Sequence, residues 1–156
     1  MASILGLDCK AYYLSTGTRA SWDGSTPAPA ALTEITVIRD VTLNLSRSES
    51  DVTTRGSNGW RQTLTTLKEG EVTFQLVWDT DDASFTAIRN AWLNGTTLAA
   101  AFLTGAKDEA GAEGLYADFN VANFTRNEGL EEGVTVDVSI RVAYSAVAPD
   151  WVEVTT

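Results

Sequence analysis

The chain has 156 residues, with 21 Asp and Glu against 11 Lys and Arg, no His, one Cys and a formal charge of -10. That length suits one domain burying about two-thirds of its unfolded surface, and 44% hydrophobic residues are enough for a core. The acidity argues against a surface that neutralises nucleic-acid phosphates. The lone Cys9 excludes an internal disulfide and a multi-thiolate metal site, and the lack of His removes the commonest general base.

In chain order, residues 4–13 read as a first strand. Asp8 and Lys10 interrupt it and no basic leader precedes it, so neither a signal peptide nor a membrane anchor is expected there. The longest apolar run, Leu98 to Leu103, is far short of a bilayer span, and the glycosylation patterns at Asn44, Asn94 and Asn123 read as chance matches in a protein without an export signal. Residues 16–31, rich in Gly and Pro, read as a long mobile N-terminal loop. Ile35, Val37, Val41, Leu43 and Leu45 fall on odd positions between polar residues, the mark of a half-buried strand.

Residues 46–59 are polar and charged almost throughout and read as a second long loop. A strand over 61–68, a turn at Glu69-Gly70 and a strand through Val72, Phe74, Leu76 and Trp78 follow. Between Asp82 and Asn94, Phe85, Ile88 and Trp92 recur at spacings of three and four with Ala91 on the same side, which predicts one amphipathic helix. Thr80 or Asp81 is placed to cap it, Asp81 and Asp82 to complement its dipole, and Gly95 to end it. Strands over 97–103, through Leu115, Ala117, Phe119 and Val121, and from Val134 to Tyr144 complete the chain. A turn at Asn127-Glu128-Gly129 and a C-terminal arm over 146–156 accompany them. The expected fold is mainly β, a β-sandwich or partial barrel of about seven to eight strands with one flanking helix, in a single domain over 1–156.

No residues assemble into recognisable chemistry. Asp79, Asp81 and Asp82 lack the Gly and the closing Glu of a calcium loop and suit helix capping instead. Glu128, Glu131 and Glu132 sit in a hairpin turn where charge is solvated, and Gly56-Ser57-Asn58-Gly59 lacks the Lys of a phosphate loop. A carboxylate pair for glycoside hydrolysis has no support beyond the abundance of Asp and Glu. No catalytic residue, metal or cofactor is therefore expected. Trp78 and Trp92 lie on apolar faces and are assigned to the core; Trp60 and Trp151, flanked by polar residues, are assigned to contacts between subunits. A second reading is a carbohydrate-binding module stacking sugars on Trp60, Trp151 and Tyr12.

The order of elements from Asp40 to Ala101, a strand, a long charged loop, a strand, a hairpin and a helix, resembles the tail tube proteins of long-tailed phages. Residues Gly114 to Ser145 are similar to that family's closing hairpin of two long strands, so the resemblance covers roughly two-thirds of the chain. It is one of order and texture. It implies six copies closing into a ring, rings stacking into a hollow tube that conducts DNA during ejection, sheets joined between protomers, other tail proteins at the tube ends, and no membrane. It places the protein in a virion tail assembled in the host cytoplasm. The contractile secretion systems have a tube of the same fold, a variant the sequence leaves open. The resemblance makes the 46–59 loop, with Arg47, Glu49, Asp51 and Arg55, a joint to a neighbouring subunit or ring. It makes Glu34, Asp40, Glu71 and Asp137 candidates for an acidic lumen that repels phosphates, with Arg141 on the same strand face as Asp137.

Overall fold

The computed structural model describes residues 3–155; Met1, Ala2 and Thr156, the last residue of the expected C-terminal arm, lie outside them. Among the described residues run eight strands: β1 Lys10–Leu14, β2 Leu32–Glu34, β3 Ile38–Asp51, β4 Thr63–Val77, β5 Thr97–Leu103, β6 Glu113–Asn127, β7 Thr135–Val142 and β8 Asp150–Glu153. One α-helix, α1 Ala83–Asn94, lies between β4 and β5. All pairings are antiparallel, in the order β2-β1-β5-β6-β7-β4-β3, with β8 on the first residues of β6.

β2 and β3 are neighbours in sequence yet form the two edges of the sheet. Only Ile35, Thr36 and Val37 join them, a link that reaches about 14 Å fully extended. The sheet must therefore curl until its edges approach, and a half-barrel results, the partial-barrel form of the expected class. Its inner face carries the main core: Val72, Phe74 and Leu76 of β4, Val136, Val138 and Ile140 of β7, Leu115, Ala117 and Phe119 of β6, with Phe85 and Ile88 of α1 packed on them. Asp82 caps α1, its carboxylate accepting from the backbone N–H groups of Ser84 and Phe85, and Gly95 ends it at φ 65°. The cap is thus Asp82 in place of Thr80 or Asp81, while Asp79 closes the preceding turn by accepting from the N–H of Asp81.

The outer face is divided. Over β1, β5 and the start of β6 it is covered by a second core of Tyr12, Leu32, Ala101, Leu103 and Tyr116, sealed by Trp22, Ala28, Val152 and Val154. Over the rest of β6, β7, β4 and β3 it is bare.

Several sequence expectations change. The first strand begins at Lys10, because Gly6–Asp8 form a 3-10 turn with the Asp8 N–H donating to the Leu5 carbonyl. Residues 16–31 pack as a strap: Trp22 is buried and its indole N–H donates to the Ser25 carbonyl. The alternation over 35–45 spans a break between two strands, and Val41 and Leu45 are exposed. The first six residues of the 46–59 loop are strand. β3 continues to Asp51 paired with β4, and the turn covers only residues 52–62 with a 3-10 turn at Arg55–Ser57. Glu69-Gly70 is no turn, for β4 runs through it; a Cβ at Gly70 would lie 3.1 Å from Val142 and 3.4 Å from Leu115. β7 stops at Val142, leaving Tyr144 exposed, and the C-terminal arm docks as β8. Trp92 is 45% exposed, stacked on Phe124 at 6.2 Å rather than buried.

Candidate functional site

Four strands, β6-β7-β4-β3, form a panel whose inner face is core and whose outer face is uncovered. Register places Glu71 opposite Arg141, Thr73 opposite Ser139 and Gln75 opposite Asp137 on that outer face. It adds Asn120, Asn123, Thr125 and Asn127 from β6 and Thr42 and Asn44 from β3. The surface is rich in amides and hydroxyls. Its charges are tied: the Arg141 guanidinium stands 3.9 Å from Glu71. Gln75 and Asn127 donate to the two oxygens of Asp137 at 3.1 and 2.8 Å.

Of the four acidic residues singled out in the sequence, Glu71 and Asp137 share this surface. Glu34 lies on β2, on the same side of the sheet but at its other edge, and pairs with Lys10 at 3.2 Å. Asp40 sits exposed at the bulge between Arg39 and Thr42, with φ 34°, outside the regular ladder.

Both flanks of the panel are open. Among the described residues β3 pairs only with β4, and β6 pairs with β5 only as far as Asn120, so Val121 to Asn127 present a free edge. Beyond Glu71, β4 loses β7 as a neighbour, and residues 45–51 and 63–70 project as a two-stranded ribbon. Its side chains are almost all exposed, including Leu45, Leu64 and Leu67. A two-stranded ribbon wet on both faces has little of its own to hold it in water, and this one is anchored only where β3 and β4 enter the sheet.

The ribbon gathers most of the residues nominated for subunit contacts, though not at one point. Arg47 lines a groove of about 670 Å³ at the ribbon base, with Leu45, Leu115, Val142, Pro149 and Trp151. Trp151 is half-exposed there and its indole N–H donates to Glu113. Glu49 and Asp51 lie further along the ribbon. Arg55 and the 75% exposed Trp60 sit at its tip.

Sequence reasoning missed Arg19. Its side chain has no exposure, lies over the Tyr116 ring and donates to Asp118, Asp150 and the Val147 and Ala148 carbonyls. It thereby fastens the strap to the segment that walls the groove. Nothing local signals this, since the acceptors lie 99 to 131 residues away. The sugar-stacking triad does not exist as a surface: Tyr12 is buried and its hydroxyl accepts from the Lys107 N–H. Among the described residues no cluster of acidic residues and Cys is arranged to hold a metal.

A half-barrel with an uncovered polar panel, two open edges and a projecting ribbon is an incomplete object. The family model for phage tail tube proteins matches residues 23–146. The chain belongs to the phage tail tube protein family. It is a structural subunit of a tail tube and a protein of the virion tail.

Solved tail structures share its fold. The tail of an empty gene transfer agent particle, refined with C6 symmetry, superposes with a TM-score of 0.71 at 13% identity over 96% of this chain and 98% of that one. The native gene transfer agent virion gives 0.69 at 13% identity, with 96% and 98% covered. The SPP1 tail tube gives 0.67 at 15%, covering 96% of this chain and 78% of that one. No curated protein matches the sequence.

Proposed function

We propose that copies of this tail tube subunit close into rings by pairing the outer edge of β3 with the Val121 to Asn127 edge of β6 in the next copy, and that the rings stack into a hollow tube. The observation that carries this is the four-strand panel with two open edges, because unpaired backbone groups on long strands invite a neighbouring strand and ring closure removes every edge. The C6 symmetry of the similar gene transfer agent tail supports six copies per ring. Closure turns the covered core outward and the bare polar face inward. Glu71 and Asp137 would then line the lumen, with Asp40 near the joint between copies and Glu34 further out.

The tube conducts DNA during ejection. Its lumen offers phosphates carboxylates, amides and hydroxyls, with Arg141 held beside Glu71, so counterion-releasing contacts are few. The subunit performs no catalysis, is assembled in the host cytoplasm and meets other tail proteins at the tube ends. Residues Arg47, Glu49, Asp51, Arg55, Trp60 and Trp151 serve contacts between copies.

Hydrogen exchange on free and assembled protein tests the joint. Amides of β3 and of Val121 to Asn127 should slow at least about tenfold on assembly, as those of paired strands do. Exchange at both edges that stays as fast in tubes as in monomers would sink the proposed pairing.

A further inference from the structure

The two ends of the strand direction carry opposite chemistry. β4 has 15 residues, which places its ends about 50 Å apart. At its start lies the ribbon tip, residues 52–62, which holds Arg55 and Arg61 and no carboxylate in a chain of charge -10. Arg61 stands 3.9 Å from Asp51 with both side chains largely exposed, a weak pairing, and Trp60 projects beside it. At the far end two turns meet where the Trp78 N–H donates to the Val134 carbonyl. They hold Asp79 and Asp81, and Glu128, Glu131 and Glu132 around Leu130. Leu130 is fully exposed, and the Arg126 guanidinium stands 3.4 Å from Glu128. Each end thus presents an exposed apolar side chain among charges in which one sign is in excess, basic at the tip beside Asp51 and acidic at the far end beside Arg126, and the two excesses are complementary.

We infer that the β3–β4 tip of one copy docks on the acidic end of a second copy lying beyond it along the strand direction, Trp60 against Leu130 and Arg55 and Arg61 against Glu128, Glu131 and Glu132. An apolar centre within a charged rim is the anatomy of a specific interface, and the charges fix its orientation. Because the two surfaces are different and lie at opposite ends, the contact repeats head to tail without closing and builds length. This inference rests on the tail tube reading and adds the partner surface of the ribbon tip.

The test uses the full chain, electron microscopy and sedimentation. A tip variant, R55E/R61E, and an end variant, E128K/E131K/E132K, change only turn residues, so each should keep the wild-type melting profile. Each should need at least about tenfold more protein to form tubes, since like charges then face each other across the contact. Combining all five substitutions in one chain should restore tubes, because its acidic tip then meets its basic end. Tubes from either partial variant at the wild-type concentration, or no recovery in the combined variant, would overturn the inference and leave the tail tube reading standing. A wild-type chain that never forms tubes would overturn both.

Discussion

Arg19 places a full charge where its side chain has no exposure, and the fold answers with two carboxylates and two carbonyls. Replacing it with Met leaves Asp118 and Asp150 facing each other without a cation. Their side chains keep 16% and 23% exposure, so the expected loss is about 2–3 kcal/mol, below that for removing one member of a fully buried pair; urea unfolding measures it. At the start of α1, the Ser84 hydroxyl and then the N–H groups of Phe85 and Ser84 hold the Asp82 carboxyl below the ordinary aspartate range. A depressed folded-state value means this contribution is complete above the unfolded value near 3.9 and disappears as pH falls through the lowered one. Asp82→Ala should cost about 1 kcal/mol at neutral pH. Asp82→Asn, which keeps a capping oxygen, should flatten that part of the acid limb in stability measured against pH. Along the helix, half-exposed Trp92 cut to Ala should cost about 1 kcal/mol, whereas fully buried Phe85 cut to Ala should cost about 3–5; a Trp92 loss equal to that of Phe85 would contradict the exposed stacking geometry.

At the scale of elements, close approach between strands sets sharp limits. A Cβ at Gly114 would lie 1.7 Å from the Phe102 carbonyl oxygen across the β5–β6 ladder. Gly114→Ala should therefore break that pairing and cost about 4 kcal/mol or more, to be read from thermal melting or from loss of soluble protein. The same element scale shows what the sequence could disclose. Val136, Val138 and Ile140 were legible because one face of β7 is core and the other is not, which writes a period of two into the chain. Residues 46–51 of β3 were illegible because both faces of the ribbon are wet, so no alternation marks them and their polarity imitates a loop. The strap over 16–31 was illegible for a different reason: Trp22 and Arg19 are held by residues near 116, 118 and 150, contacts no local pattern encodes. Of the candidate site, the exposure of Trp60 and Trp151 could be read from their polar neighbours. Their separation, one at the ribbon tip and one in the groove at its base, depends on the β3–β4 register and on β8 docking against β6.

At the scale of the whole molecule, the features a monomer leaves unsatisfied are the ones an assembly would complete: open edges on β3 and β6, a bare polar panel and a ribbon without a core. The ribbon is separable from the fold, since its outer residues are exposed and contribute nothing to either core. Replacing residues 48–67 with an Asn-Gly turn should give a monomer that melts like the full chain and builds no tubes, as light scattering would record; tubes of normal length from it would contradict the role given to the ribbon. The most direct measurement is negative-stain electron microscopy of the purified full chain at rising concentration. Hollow tubes of constant width built from stacked rings are the expected result. A strictly monodisperse monomer at every concentration up to the solubility limit would contradict self-assembly through the open edges.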